Sequence, residues 1–272
     1  MTGFDLENPD HAYVFGFLQA DGHLRQGPGN KGRLSVELSA RDVVLLEEFR
    51  RICAWPSSVR HRTRSTDFAA EHTSAIWTVC AREFRERLEE LGLPTGRKSS
   101  RVAPPRTPFA ERDYLRGLID ADGSLGRTGQ DLPFVSLTTA SEALATYFCR
   151  YAHELTGAVR TARRNRRDEI YNILVTRENA VAMAQDLYRP KCLALPRKLA
   201  AAADLATWTR PDGMRKVPRR PWTADEDDLL LATGDAKAAA TLLGRSVSSC
   251  ATRQWRLMGP RKARVRFPRT PA

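Results

Sequence analysis

Two aspartates at matched positions carry the chemistry that this sequence offers. Asp21 and Asp122 each close an apolar, helix-like run, and each has alanine before it and glycine after it. The glycine suits the left-handed residue that ends many helices. Backbone carbonyl groups at that end are already partly negative, so a carboxylate there is unfavourable unless a cation lies beside it. Carboxylate and carbonyl oxygens gathered from two such ends would bind a hard cation such as Mg²⁺.

The segments that must position these carboxylates repeat each other along the chain. In each segment a glycine stands four positions before the alanine: Gly16 before Ala20, and Gly117 before Ala121. Small residues four apart share one face of a helix and allow a second helix to approach closely. One copy alone would suit an ordinary helix with a solvated aspartate at its end. Two copies at matched positions favour a paired, functional arrangement.

The two segments also carry a resemblance to a known family. They read Val14-Phe-Gly-Phe-Leu-Gln-Ala-Asp-Gly22 and Leu115-Arg-Gly-Leu-Ile-Asp-Ala-Asp-Gly123. They resemble the two motifs of a single-chain LAGLIDADG homing endonuclease. The second departs from the family consensus only at Arg116, whereas the first is looser but keeps its two glycines, its alanine and its final aspartate.

This resemblance implies an α+β protein with two pseudo-symmetric αββαββα modules that share a two-helix interface. The repeat extends beyond the motifs, with strand-like runs at 34–38 and 134–138 and amphipathic helix patterns at 41–53 and 141–155. The domain boundaries we predict are 1–103 for the first module, 104–205 for the second, 206–221 for a basic linker, 222–258 for a helix-turn-helix domain and 259–272 for a basic tail.

The resemblance also implies an activity, namely site-specific cleavage of double-stranded DNA by metal-dependent phosphodiester hydrolysis. Two or more Mg²⁺ ions are expected between the motif helices. Mn²⁺ should substitute for them, and Ca²⁺ should support DNA binding without cleavage. The predicted metal ligands are Asp21, Asp122 and the carbonyl oxygens of Ala20 and Ala121.

Both halves of the sequence end on an Arg-Lys pair. Lys98 lies 77 residues after Asp21, and Lys198 lies 76 residues after Asp122. Members of the family place a basic residue beside each metal site at about this point, so the resemblance assigns both lysines to the catalytic site. An ammonium group there would stabilise charge that develops on a phosphate. Arg-Lys pairs after loops are otherwise ordinary surface charge.

Rows of arginine follow the first amphipathic helix of each half. Alternate residues of a strand share one face, so each row would present its guanidinium groups together. A sheet with such rows could lie in a DNA major groove, where arginine binds guanine through two hydrogen bonds and other arginines neutralise phosphates. The alternative is a solvated hairpin tip. The DNA-binding residues predicted in these rows are Arg60, Arg62, Arg64, Arg160, Arg164 and Arg166.

The C-terminal stretch 222–258 is patterned as three short helices with a tight turn before the last, a helix-turn-helix arrangement. Thr223, with Glu226 three residues later, forms a capping-box pattern at its start. The stretch resembles a Myb/SANT-like DNA-binding domain with Trp222 and Trp255 as its core aromatic residues, although the further tryptophan of that family is missing. Its predicted DNA contacts are Arg245, Arg253 and Arg256. A small helical bundle that binds protein is the alternative.

Composition favours a partner of negative charge. The formal net charge is +12, and residues 206–272 hold 14 Lys and Arg against 6 Asp and Glu. Such a basic excess is typical of nucleic-acid-binding proteins, though ribosomal and membrane-surface proteins share it. The five cysteines are widely spaced without a Cys-x-x-Cys, which argues against a disulfide framework or a zinc finger. No apolar run approaches the roughly 20 residues that span a bilayer. We expect a monomer without a membrane partner, in the reducing cytoplasm of a bacterial or phage-infected cell.

Three function classes remain open at this point. The first is a DNA endonuclease with double-stranded DNA as its partner. The second is a transcription regulator that pairs a degenerate LAGLIDADG fold with a helix-turn-helix; it would tolerate loss of the carboxylates, which this sequence retains. The third is an RNA maturase acting on its own intron RNA, which could be a second activity of an endonuclease.

Overall fold

The computed structural model describes residues 3–66, 69–165, 168–214 and 222–258. The chain divides into two compact units, residues 1–211 and residues 212–272. The larger unit contains both predicted modules, and a single hydrophobic core runs through it. The two modules are therefore two halves of one folded unit.

The first half has the predicted αββαββα order. Its four strands form one antiparallel sheet in the order β1-β2-β4-β3, so β3 lies at an edge. The second helix buries Leu45, Leu46 and Phe49, which recur at helical spacing, against this sheet. The elements are α1 (Pro9–Asp21), β1 (His23–Arg25), β2 (Arg33–Ser39), α2 (Val43–Cys53), β3 (Ser57–Thr66), β4 (Ala69–Val79) and α3 (Arg82–Glu90).

The second half follows the same path with one strand fewer among its described residues. Its sheet is antiparallel in the order β5-β6-β7. An additional helix follows the sixth helix and carries the second Arg-Lys pair. The elements are α4 (Glu111–Asp122), β5 (Gly123–Arg127), β6 (Pro133–Thr139), α5 (Glu142–Thr156), β7 (Tyr171–Thr176), α6 (Glu178–Leu187) and α7 (Pro196–Ala206).

The predicted basic strand of the second half is wrong for its described residues. Residues 157–165 contain only one isolated bridge, between Arg164 and Tyr171, and no regular strand. The Arg160 side chain donates from Nε to the carbonyl oxygen of Leu174 at 2.9 Å. That carbonyl belongs to the free edge of β7, where the backbone of a neighbouring strand would otherwise pair. In the first half, β3 forms backbone hydrogen bonds with β4. At the corresponding place in the second half, a side-chain hydrogen bond from Arg160 takes the place of one of these backbone bonds.

The predicted linker also begins later than expected. Trp208 is buried and donates from Nε1 to the carbonyl oxygen of Asp131 at 2.9 Å. Arg210 forms an ion pair with Glu178 at 2.6 Å. These contacts attach the residues just after α7 to the second half, so the predicted boundary at 205/206 is wrong. The two basic arms fall mostly on residues 215–221 and 259–272, outside the described residues.

The smaller unit contains the three predicted helices α8 (Ala224–Thr233), α9 (Ala236–Leu243) and α10 (Val247–Met258). Thr223 and Glu226 form the predicted capping box at the start of α8. Trp222 packs against the small core, but Trp255 is 51% exposed, so its predicted core role is wrong. It lies five residues after the buried Cys250, which places it about 140° around the helix from the core-facing side.

Within the parts of the chain that the structure describes, no helix has both the length and the apolar character needed to cross a membrane.

Candidate active site

The site is built on direct backbone contact between α1 and α4. A Cβ atom added to Gly16 would lie 2.2 Å from the carbonyl oxygen of Tyr114, and one added to Gly117 would lie 2.1 Å from that of Tyr13. No real side chain fits at these distances, so each glycine is required by the backbone of the other helix. The close contact places the two helices together along the face predicted from the sequence.

Each motif helix ends in aspartate, followed by a glycine that has a different role from the predicted one. Gly22 has φ −67° and ψ 142°, and Gly123 has φ −102° and ψ 178°, so both are extended and neither is left-handed. A Cβ on Gly22 would lie 2.6 Å from the carbonyl oxygen of Leu18, and one on Gly123 would lie 2.7 Å from that of Ser136. Glycine is needed here because the chain turns tightly against its own helix and the sheet.

The two carboxylates influence each other. Asp21 and Asp122 are exposed at the ends of α1 and α4. Partial desolvation and, after it, the negative charge of Asp21 raise the pKa of Asp122 to about 6, against the lowering effect of Lys98 and Lys198. Desolvation also raises the pKa of Asp21, again against the effect of the lysines. A carboxylate whose proton affinity is raised by burial and by a second carboxylate marks a place where a cation is favoured.

The lysines predicted from the Arg-Lys pairs lie at these helix ends. Lys98 and Lys198 are buried, with 8% and 5% of their surface exposed. Lys98 donates from Nζ to the carbonyl oxygens of Gln19, at 2.6 Å, and of Ala20. Each ammonium thereby satisfies carbonyl groups that the helix leaves free and offsets the negative end of its dipole. Desolvation lowers the pKa of both lysines to about 8, against the raising effect of nearby carboxylates.

The two lysines use different carbonyl groups. Lys198 donates to the carbonyl oxygens of Ile119, Asp120 at 2.7 Å and Gly123 at 2.9 Å. It thus bypasses the Ala121 carbonyl, whereas Lys98 occupies the Ala20 carbonyl. The predicted metal-ligand roles of these two alanine carbonyls stay predictions.

The protein offers few side-chain ligands for a metal ion. Over the described ranges no group of three or more His, Cys, Asp and Glu side chains is gathered in one place. What the paired helix ends provide is two exposed carboxylates with backbone carbonyl groups beside them. Mg²⁺ is commonly bound by one or two carboxylates together with waters and substrate phosphates. The donor set therefore fits Mg²⁺ that is completed by a phosphate substrate.

A crossed pair of buried hydrogen bonds beneath the carboxylates was missed by the sequence analysis. The Tyr13 hydroxyl of α1 donates to Asp120 Oδ2 of α4 at 2.6 Å. Conversely, the Tyr114 hydroxyl of α4 donates to Gln19 Oε1 of α1. Gln19 and Asp120 are both 1% exposed. The sequence did contain an indication of these bonds, because Gln19 and Asp120 are polar residues at the same position of two otherwise apolar segments.

The arginine row of the first half lies as predicted. Arg60, Arg62 and Arg64 are exposed at alternate positions of the edge strand β3. Arg64 also approaches Glu37 on β2, with 3.6 Å between Nη2 and Oε1.

The second row is not presented in the same way. Arg160 and Arg164 lie outside any strand, and Arg164 donates from Nε to the carbonyl oxygen of Glu169 at 2.8 Å. Arg166 lies outside the described residues. The two arginine rows therefore do not form matching surfaces among the described residues.

Two of the three predicted arginines of the smaller unit have internal partners. Arg245 pairs with Glu226 at 2.6 Å and lies 4.1 Å from the centre of the Trp222 ring. Arg253 pairs with Asp227, and this pairing lowers the pKa of that carboxyl. Arg256 is exposed on α10. The internal pairs stabilise the small unit, so Arg256 is the arginine of this set best placed to meet a partner.

Comparisons with known proteins agree with this architecture. Residues 110–187 match the family described as LAGLIDADG-like domain. The tRNA-splicing ligase RtcB of Methanopyrus kandleri is 31% identical over 147 residues, which cover 47% of this chain and 14% of the ligase. The chain thus spans about a seventh of the length of this curated relative.

Two solved structures are similar to this chain, and the first of them has a similar fold. The homing endonuclease I-WcaI bound to its DNA recognition sequence is 12% identical, with a TM-score of 0.51 over 72% of this chain and 87% of that one. The N-terminal LAGLIDADG domain of DUF199/WhiA is 10% identical, with a TM-score of 0.45 over 70% of this chain and 86% of that one. Residues 110–187 are thus similar to a LAGLIDADG-like domain, and the fold resembles that of the homing endonuclease I-WcaI.

Proposed function

We propose that this protein is a metal-dependent endonuclease that cuts both strands of DNA at a specific site. The observation that carries the proposal is the meeting of two exposed carboxylates with two buried ammonium groups at the paired ends of α1 and α4. A helix pair held together only for stability would gain nothing from aspartates at its negative ends. Paired charges of both signs suit a reaction in which a phosphodiester gains negative charge.

In the proposed reaction the side chains of the protein would bind metal ions, orient the groups at the two helix ends and neutralise charge on the phosphates. Asp21 and Asp122 would hold Mg²⁺, which supplies an activated water and stabilises the leaving oxygen when bound. Lys98 and Lys198 would keep positive charge beside the phosphates and fix the carbonyl groups at the two helix ends. Because one chain provides both carboxylates and both lysines, we propose that it acts as a monomer.

The edge strand β3 would contact the DNA. Arg60, Arg62 and Arg64 present guanidinium groups on the face that β3 shares with Ser74 and Ile76 of β4. Such a row can combine contacts to guanine with contacts to phosphate. The second half would make its contacts through residues in other geometries, because its arginines are not arranged on a strand.

The smaller unit would extend the DNA contact as a helix-turn-helix. Its third helix exposes Ser248, Thr252 and Arg256 at successive four-residue spacings, which form one face. We propose that this face, rather than Arg245 or Arg253, meets the DNA. Removing residues 215–272 should then shorten the DNA footprint on one side and leave the cut positions unchanged.

The experiment that tests the main proposal compares Asp21→Asn, Asp122→Asn and a control. The substrate is a plasmid carrying the genomic DNA that flanks the reading frame, joined without it, incubated with Mg²⁺. Each aspartate variant should lose double-strand cutting by more than about a hundredfold, while DNA binding in Ca²⁺ survives. Asp10→Asn is the matched control, because it makes the same chemical change in the first turn of α1, at the opposite end of the helix.

A double variant without either carboxylate that still cuts would remove these residues from the reaction. If the unaltered protein binds the plasmid specifically but never cuts it, the transcription regulator becomes the better interpretation. Splicing assistance to an intron RNA without any DNA cutting would favour the maturase.

A further inference from the structure

The loop that brings Lys198 to the site is fastened to α4 at both ends. Arg116 donates from Nη1 to the carbonyl oxygen of Leu187, where the loop starts, at 3.0 Å, and from Nε to that of Leu193, further along the loop, at 2.8 Å. At its end, the backbone N–H of Leu195 donates to Asp120 Oδ2 at 2.7 Å. Arg116 and Asp120 are four residues apart on one face of α4, and both are 1% exposed.

The attachment at Leu195 is the one that controls the lysine. Leu195 is the N-cap residue of α7, and Lys198 lies one turn later, its N–H bonded to the Leu195 carbonyl oxygen at 2.9 Å. Asp120 therefore fixes the origin of the turn from which the lysine side chain extends. The backbone carbonyl of Asp120 also accepts from Lys198 Nζ at 2.7 Å, so a single residue holds both the base and the tip of the lysine.

Two tyrosines complete the surroundings of this carboxylate. The hydroxyl of Tyr13 donates to Oδ2 and that of Tyr188 donates to Oδ1, each at 2.6 Å. Three donors leave the carboxylate little freedom to rotate, so its hold on Leu195 is rigid. A buried acceptor with defined partners positions its neighbours more strictly than an exposed one.

In the first half, the loop that carries Lys98 is held by a hydrogen-bond donor instead of an acceptor. Gln19, which aligns with Asp120, donates from Nε2 to the carbonyl oxygens of Gly92 and Ala103, each at 3.0 Å. These two residues lie on either side of Lys98, whose ammonium bonds the Gln19 carbonyl. An amide that donates to the loop of Lys98 thus corresponds to a carboxylate that accepts from the loop of Lys198.

We propose that Gln19 and Asp120 are positioning residues, each of which sets the lysine of its own half and thereby the cutting of one DNA strand. This inference rests on the proposed endonuclease function. Misplacement of a group at a reacting phosphate by about 1 Å can slow a reaction about a hundredfold. Because the two loops are held by different residues, loss of one should disturb one strand and spare the other.

The test is a strand-resolved cleavage assay on the plasmid described above, supplied as a supercoiled circle. Asp120→Ala and Gln19→Ala should each slow one strand at least about tenfold and accumulate nicked circles, with opposite strands nicked by the two variants. Asp120→Asn should restore cutting of both strands to within about threefold, because the amide oxygen still accepts from Leu195. Equal slowing of both strands, or no slowing, would overturn the inference.

Two further measurements keep the test decisive. If Asp120→Ala does not fold by circular dichroism, Leu195→Pro removes the donor at a backbone φ of −63° that proline adopts, and Leu195→Ala, which keeps the N–H, controls for loss of the buried leucine side chain. If the unaltered protein does not cut, the proposed function fails, and the inference is judged by reductive methylation of lysines followed by mass spectrometry. Labelling of Lys198 should then rise at least about fivefold in Asp120→Ala with Lys98 unchanged; equal labelling would overturn the inference.

Discussion

The two halves of the larger unit are alike where they face each other and different where they face their own loops. Tyr13 and Tyr114 reach across to the opposite helix, and the two glycines of the motifs are both required by backbone contact. In contrast, Phe15 of α1 corresponds to Arg116 of α4, although both are buried. A shared interface constrains both helices at once, so its contacts correspond in the two halves, whereas each loop constrains only one half.

Arg116 of α4 stands where α1 has Phe15, and its contacts show how a charged group is accommodated at this buried position. A buried guanidinium is costly unless it is paired and hydrogen-bonded. Arg116 lies 2.7 Å from Asp113, bonds two loop carbonyl groups and lies 5.2 Å from the centre of the Tyr13 ring. The second half therefore attaches its lysine loop partly through a guanidinium group, whereas Phe15 stands at the corresponding position of the first half.

The largest expected effect tests the symmetric part of this comparison. Gly16→Ala and Gly117→Ala should each lower the free energy of unfolding by about 3 kcal/mol, because the added methyl group meets backbone that cannot move aside. Urea unfolding followed by circular dichroism measures it. Gly129→Ala is the control, since its Cβ would meet nothing within 4 Å, and it should stay within about 0.5 kcal/mol. If only one motif glycine is sensitive, the interface is not symmetric.

A second prediction concerns the coupling of the two carboxylates. Desolvation, and after it the negative charge of Asp21, raise the pKa of Asp122 from its ordinary 3.8 to about 6, and Asp21→Asn removes the second of these causes. The pKa of Asp122 should therefore fall in this variant, yet remain above 3.8 because desolvation is the larger cause. Carbon-13 NMR titration of the Asp122 carboxyl measures it. An unchanged pKa would mean that the two helix ends do not sense each other.

The pH dependence of cutting follows from the same groups. Asp122 gains its charge as the pH rises through about 6, and the two lysines lose theirs as the pH rises through about 8. The rate should therefore rise through about 6 and fall above about 8. Single-turnover rates across this range measure it, and a rate that kept rising beyond pH 9 would show that the ammonium groups are not needed.

The smallest expected effect tests the difference between the arginine rows. Arg62→Ala should weaken DNA binding and reduce the slope of log affinity against log salt by about 0.9, as for one lost phosphate contact. Arg160→Ala should change the slope by less than half as much, because Arg160 already bonds the carbonyl oxygens of Leu174 and Val159. Fluorescence anisotropy in Ca²⁺ at several salt concentrations measures both. Equal changes in slope for the two variants would mean that the arginine rows of the two halves are equivalent, as the sequence predicted.

Periodicity and the repeat predicted much of the fold and the core of the candidate site. The motif helices, the α2 and α5 helices and the capping box at Thr223 follow from local patterns. The position of Lys98 and Lys198 followed from the family resemblance. What remained hidden depends on contacts distant in sequence: the Tyr13–Asp120 bond joins residues 107 apart. The exposure of Trp255 was missed because an aromatic residue was assumed to belong to a core, while the helical spacing from Cys250 says otherwise.

The crossed tyrosine bonds restrict how this protein can be recombined with its relatives. A chimaera joined between the halves, near residue 104, would separate Tyr13 from Asp120 and Tyr114 from Gln19. A foreign second half with an apolar residue at the Asp120 position would leave a buried hydroxyl without an acceptor, at a cost of about 1–3 kcal/mol. Halves of this fold are therefore exchangeable only as matched sets in which each tyrosine keeps a polar partner on the other half.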